Sequence, residues 1–407
     1  MPSWKRVMAG VPDILDRLVH AVEADTQEFG SQQVVVPELH PQAQRLRSRV
    51  EQHLKEVYPE HDVYELANRI LRESGLEAGS TTTVESYDKW SQDDVLMICY
   101  GDGMIDDSSD RPISPLKNLH RFMDRELRTT VSGIHILPFS PFSSDDGFSV
   151  IDYTQINPDL GTWDDIEELG KDYMLMADLV LNHCASKSEW FTNFKAGKHP
   201  GKDYFTVPDA DMDISKVVRP RSTPLLTEVE TSEGTKEVWC TFGPDQIDLD
   251  YSNPDVLLEM IHVMALYIKR GIRFFRLDAV AFLWKESGTT CLHLKQTHEL
   301  IKLMRLLLEE LDPEAVIITE TNVPNRENLS YFGNGNETHM IYNFSLPPLL
   351  VNSLLTGNAK HLQSWMMSMP PAKRGRAYLN FISSHDGIGI RPAEGLLGEK
   401  ELTGLLE

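Results

Sequence analysis

Several polar residues in this chain stand at the ends of short apolar runs, and their types suit sugar chemistry. Arg276 and Asp278 are two positions apart, so on a strand both side chains point to one face. A neighbouring arginine holds a carboxylate ionised and oriented, which is what a covalent nucleophile must be. Glu320 follows the apolar run Ala315-Val-Ile-Ile-Thr319, a setting that raises a carboxyl toward general-acid duty. Asp386, directly after His385, supplies a third acid. Two carboxyls about 5–5.5 Å apart, with a third acid nearby, suit retaining glycosyl transfer through an oxocarbenium-like transition state. Asn182-His183 and Ser144-Asp-Asp-Gly-Phe148 follow two further apolar runs. Each signal alone has a structural reading as well. Arg-x-Asp also makes ion pairs, His-Asp-Gly also makes turns, and Asn-His also fills loops. Their placement in order at the ends of successive runs is what points to catalysis.

The elements that must position these residues read as strands alternating with helices. The apolar runs are Val95–Tyr100, Gly133–Leu137, Tyr173–Leu181, Ile272–Leu277, Val316–Thr319, Met340–Phe344 and Tyr378–Ile382. Helical patterns such as Val256–Arg270 and His298–Leu311 lie between them. This alternation predicts βαβ units and a parallel sheet, and its polar strand ends match the working face of an α/β barrel. The expected fold is α/β, a (β/α)8-type TIM barrel that is incomplete at seven strands. Glu407 follows soon after the seventh run, so an open barrel with two unpaired edges is expected.

Two regions depart from the rhythm. Residues 1–90 predict a helical N-terminal extension to the catalytic barrel at 91–407. Ile14, Leu15, Leu18, Val19 and Val22 recur at helical spacing, as do Leu46, Val50, Leu54 and Val57. Residues 185–245, which include KVVRPRSTPLL, are too long for a plain loop and predict an inserted subdomain after strand three.

Composition narrows the partners. The 407 residues carry 39 basic and 62 acidic side chains, a net charge of −23. That excess disfavours nucleic acid and anionic membrane. The 4 cysteines include no C-x-x-C pair, which argues against a zinc site or a disulfide framework. No apolar run is long enough for a membrane helix, and the start lacks a secretory h-region. A reduced, cytoplasmic setting is expected. Exposed barrel edges would favour association, so a homo-oligomer is also expected.

Four stretches together resemble the α-amylase family of retaining α-glucosidic enzymes (glycoside hydrolase family 13). They are Asp178-Leu-Val-Leu-Asn182-His183, Gly271-Ile-Arg-Phe-Phe-Arg276-Leu-Asp278, Ile317-Ile-Thr-Glu320 and Phe381-Ile-Ser-Ser-His385-Asp386. The resemblance implies that Asp278 is the nucleophile, Glu320 the general acid/base and Asp386 the transition-state stabiliser. It further implies that Arg276, His183 and His385 bind the glucosyl unit.

Leu137-Pro-Phe-Ser-Pro-Phe142, Asp145-Asp-Gly-Phe148, Gln246-Ile-Asp-Leu-Asp250 and Ser384-His-Asp-Gly-Ile-Gly389 are similar to the sucrose phosphorylase branch. This implies that Asp145 clamps sugar hydroxyls, that Phe148 forms an aromatic platform and that Gln246 joins the substrate-binding set. It implies no metal and no cofactor. Within the branch, Ser186-Lys-Ser-Glu-Trp-Phe191, Arg219-Pro-Arg221 and Ile317-Ile-Thr-Glu-Thr-Asn-Val-Pro324 resemble glucosylglycerate phosphorylases more than sucrose phosphorylases. The implied reaction is phosphorolysis of an α-glucoside to α-glucose 1-phosphate and D-glycerate.

Phosphate and glycerate are anions, so an acidic chain must supply local cations for them. Arg219, Arg221 and Arg391 are the candidates. The alternatives are sucrose phosphorolysis with fructose as acceptor, hydrolysis, or a non-catalytic sugar-binding barrel fragment. Asp178 is read as an orienting residue below the site, and Trp163 and Trp239 as packing residues.

Overall fold

The computed structural model describes residues 41–77, 89–106 and 113–406, all within one compact unit. The expected helix around Ile14–Val22 lies outside the described residues. Chain order begins with helices α1 (Pro41–Val57) and α2 (Val63–Glu73), then β1 (Leu96–Cys99), α3 (Pro115–Phe122), β2 (Gly133–Ile136) and α4 (Trp163–Leu169). Next come β3 (Met174–Val180), β4 (His183–Ala185), α5 (Glu189–Ala196), β5 (Leu226–Thr231), β6 (Gly234–Trp239) and β7 (Gln246–Asp248). The chain continues through α6 (Pro254–Lys269), β8 (Phe274–Asp278), α7 (Lys295–Leu311), β9 (Val316–Thr319) and α8 (Asn325–Ser330). It closes with β10 (Met340–Tyr342), α9 (Leu346–Thr356), α10 (Lys360–Ser368), β11 (Ala377–Leu379) and α11 (Glu399–Leu406).

Seven strands form one parallel sheet in the order β1-β2-β3-β8-β9-β10-β11. Strands β2, β8, β9 and β10 are buried along their whole length, as expected of parallel strands covered on both faces. Met176, Phe274, Val316, Ile318, Met340 and Tyr342 interlock as an apolar cluster across adjacent strands. Among the described residues, β1 pairs only with β2 and β11 only with β10, so the seven-stranded sheet has two edges. The seventh strand ends at Leu379 rather than Ile382, and Ile382 is exposed beyond it.

The insertion begins where β3 ends. Strands β4 and β7 pair antiparallel and bring its two ends together. Helix α5 and the β5–β6 hairpin occupy the chain between them.

Helix α1 buries Leu46, Val50, Leu54 and Val57 on one stripe. Each such side chain contributes roughly 1.5–3 kcal/mol when fully buried. Asp62 caps α2 by accepting from the Tyr64 and Glu65 amides, both at 3.1 Å. The pair packs on α6 and α7 and is tied there by His53–Glu299 at 2.9 Å and Arg69–Asp255 at 2.6 Å. Tyr58, just after α1, donates to the Tyr251 carbonyl at 2.8 Å. Tyr251 in turn donates to the Leu181 carbonyl at 2.9 Å, directly before Asn182-His183.

Candidate active site

The C-terminal ends of the parallel strands open into a cavity of about 400 Å³. Every residue selected from sequence lines it: Asp278, Glu320, Asp386, Asp145, Phe148, His183, Gln246, Arg276, His385, Arg391, Arg219 and Arg221.

The floor is set by β3 and β8. Their register places Asp178 opposite Arg276 and Val180 opposite Asp278. The Arg276 guanidinium donates to Asp278 Oδ1 at 2.8 Å and also to Asp178 Oδ1. His135, from β2, meets the other Asp178 oxygen at 2.8 Å. All four side chains are buried. Burial alone would raise the Asp178 carboxyl, but His135 and Arg276 outweigh it and bring it down to about 2. Asp178 is therefore a fixed negative charge below the cavity. It holds Arg276, and Arg276 holds Asp278. The guanidinium also lies over the Phe148 and Tyr342 rings, at 5.5 and 5.9 Å from their centroids.

Glu320 enters from the end of β9, where its amide donates to the Leu277 carbonyl at 3.2 Å. Burial is the main cause raising both the Asp278 and Glu320 carboxyls, and Arg276 opposes it at both. Each also feels further negative charge, Asp278 from Glu320 itself. Two interacting carboxyls in one buried site retain a proton between them through neutral pH. A direct hydrogen bond from Arg276 stabilises the charged form of Asp278, and the Ala279 backbone does the same for Glu320. Ala279 follows Asp278 with φ of 53°, a left-handed residue in the turn that ends the strand.

Asp386 is placed differently. Its side chain is 75% exposed, beyond the edge strand β11, and 3.3 Å from His385 Nε2. His385 stacks on Phe148, with ring centroids 5.2 Å apart and planes 9° apart. Tyr100 meets the same imidazole edge-on at 6.3 Å. Burial lowers the His385 pKa, and Asp386 works against that. Its Nδ1 is buried without a hydrogen-bond partner among the described residues.

The remaining wall comes from loops. Asp145 and Asp146 adopt φ of 55° and 49° in the turn after β2. Gln246 donates to Asp145 Oδ2 at 2.8 Å, and His183 Nε2 lies 3.0 Å from the Phe148 carbonyl. Burial lowers the His183 pKa, so its imidazole is neutral. Arg219, Arg221 and Arg391 form no ion pair with any described acid. Arg219 does reach the Cys240 and Thr241 carbonyls, at 3.4 and 3.3 Å.

Trp163 and Trp239 pack as expected, and further residues lie around the cavity or away from it. Tyr342 and Asn343 do not line the cavity, and Trp239 is fully buried. Trp163 packs edge-on against Phe139 and Tyr267. Asn182 is buried beneath the cavity and bonded to Asp248, which Lys285 also meets at 2.8 Å. Tyr100 lines the wall and was missed, although it stands at the end of a predicted strand, where the rule that found the acids applies. Phe242 also lines the cavity, and no pattern in the sequence marked it.

Residues 126–388 match the alpha-amylase catalytic domain. The chain belongs to the alpha-amylase family. It is 46% identical over 314 residues to a glucosylglycerate phosphorylase of Spirochaeta thermophila, covering 77% of this chain and 53% of that one. It is also 46% identical over 321 residues to a glucosylglycerate phosphorylase of Escherichia coli, covering 78% and 56%. Among solved structures it resembles sucrose 6F-phosphate phosphorylase from Thermoanaerobacter thermosaccharolyticum, with a TM-score of 0.67 and 25% identity, covering 77% and 64%. The chain thus spans a little over half the length of the curated relatives it matches. No helix among the described residues is long and apolar enough to cross a membrane.

Proposed function

We propose that the site performs retaining phosphorolysis of an α-glucosyl glycerate, yielding α-glucose 1-phosphate and D-glycerate. One arrangement carries the reading. Two buried, interacting carboxyls share a cavity with three arginines that have no acid partner among the described residues. In step one, ionised Asp278 attacks the anomeric carbon while protonated Glu320 gives its proton to the departing glycerate oxygen. A β-glucosyl ester on Asp278 results. In step two, a phosphate oxygen attacks the same carbon, Glu320 takes the phosphate proton, and the ester bond breaks. Two inversions give net retention. Asp386 stabilises positive charge at the anomeric centre. Arg276, His183, His385, Asp145 and Gln246 bind glucosyl hydroxyls over the Phe148 ring.

Arg219, Arg221 and Arg391 bind glycerate carboxylate or phosphate, for which bidentate guanidinium is suited. With an uncharged acceptor such as fructose, phosphate alone would be left to engage these three arginines. Helices α1 and α2, from the proposed extension at 1–90, serve in this reading as a brace on the catalytic region at 91–407. Residues 185–245 serve as a subdomain that carries Arg219 and Arg221 to the cavity. The two 46%-identical phosphorylases support the same reaction class.

Trapping the intermediate tests this reading. Glu320→Ala incubated with α-glucosyl fluoride needs no acid for fluoride departure but lacks the base for the second step. One anhydroglucose unit should accumulate on the peptide carrying Asp278, as read by mass spectrometry. An unlabelled peptide from a folded variant that still binds glucose would overturn it.

A further inference from the structure

We propose that Asp245 is a positioning residue for the sugar pocket, its carboxylate fastening the loop 143–149 so that Asp145 and Asp146 face the bound glucosyl unit. The inference rests on the pocket being a glucosyl site, as proposed above. Asp245 does not line the cavity. Its side chain is instead the meeting point of four serines from two other parts of the chain. Ser143 and Ser144 donate to Oδ2 at 2.5 and 2.6 Å, and Ser186 donates to Oδ1. Ser149 Oγ lies 2.8 Å from the Asp245 carbonyl and 3.1 Å from Oδ2.

The loop is thereby held at both ends by one carboxylate. Within it, the Ser143 amide donates to the Ser149 carbonyl at 3.0 Å, and the Phe148 amide to the Asp145 carbonyl at 2.9 Å. Such support is needed because Asp145 and Asp146 are consecutive left-handed residues other than glycine, a conformation that L side chains disfavour. Gly147 follows at φ of 109°, where a Cβ would fall 2.8 Å from Pro138. The strained pair projects Asp145 to Gln246, the residue next to Asp245, at 2.8 Å. Loop, hub and clamp therefore form one connected set.

No described cation pairs with Asp245; its charge is met by hydroxyls. Burial alone would raise this carboxyl, but the seryl hydrogen bonds outweigh it and hold it below the ordinary value. It is ionised, and so an acceptor only, across the neutral range.

Hydrogen exchange and kinetics together test the proposal. In Asp245→Ala, the Phe148 and Ser149 amides should exchange at least about tenfold faster, while those of β3 and β8 stay at the wild-type rate. The KM for α-glucose 1-phosphate should rise about 10- to 100-fold, with a smaller change in the glycerate KM. Asp245→Asn, which keeps the shape and one acceptor, should fall between. Ser143→Ala/Ser144→Ala repeats the test without touching Asp245, should Asp245→Ala fail to fold. Unchanged loop exchange overturns the proposal, and so does faster exchange with an unchanged α-glucose 1-phosphate KM. If the wild type shows no turnover, the functional reading fails, and the exchange comparison alone decides whether Asp245 holds the loop.

Discussion

Asp278 and Asp386 line one cavity in contrasting surroundings. Asp278 ends a central strand, has its side chain 13% exposed, and receives a guanidinium that Asp178 fixes from below. Asp386 lies past the edge strand β11 with its side chain 75% exposed. Its nearest described charge partner is the adjacent His385. The same functional group therefore meets two electrostatic regimes. At the centre, low polarity strengthens each interaction and forces Asp278 and Glu320 to divide one proton. At the edge, water screens the Asp386 carboxylate and weakens its interactions. Among the described residues, β8 is paired on both sides and β11 on one.

The largest effect should come from breaking the central side. Asp278→Ala removes the covalent path, so kcat should fall about 10⁴-fold or more by steady-state assay. Near-normal turnover would remove Asp278 from its role.

Next in size is Glu320→Gln, with a loss of about 10²–10⁴-fold on glucosides. The pH profile gives this variant a second signature. Glu320 has a raised pKa and must be protonated for the first step, so wild-type kcat/KM should fall as pH rises through that raised value. Glu320→Gln should lose this alkaline limb, and a retained limb would assign the proton elsewhere.

At the edge, Asp386→Asn should cost about 10²–10³-fold, the scale for loss of one charge-stabilising group. The Asp386 charge also raises the Glu320 carboxyl, so in Asp386→Asn the alkaline limb should persist but move to lower pH. An unmoved limb would show that the Asp386 charge does not reach Glu320.

The smallest effect concerns the arginines. Arg391→Ala should raise the glycerate KM about tenfold, the scale of one charge-assisted hydrogen bond, with little change for α-glucose 1-phosphate. Equal changes in both would take glycerate recognition away from Arg391.

Much of the central side was legible in the sequence, because it depends on local pattern. Arg276-x-Asp278 needs only strand alternation to share a face, and Thr319-Glu320 needs only a strand end. The seven apolar runs matched the seven parallel strands to within a few residues. What was not legible depends on contacts between distant segments. His135 sits mid-strand in β2 and reads as a core residue, yet it anchors Asp178 at 2.8 Å. The serines that meet Asp245 are ordinary loop residues until Ser143, Ser186 and Asp245 come together in space. The exposure of Asp386 also escaped, since the motif around it resembles the family as closely as that around Asp278. Motif identity specifies chemistry, whereas burial is set by neighbours on both sides of a strand.

The central claim is that this cavity exchanges glycerate and phosphate on a glucosyl unit. Its most direct test is phosphate release from α-glucose 1-phosphate with D-glycerate or D-fructose as acceptor. The account predicts release with glycerate and none with fructose, abolished in Asp278→Ala. Release with fructose, or no release with glycerate from folded protein, would contradict it.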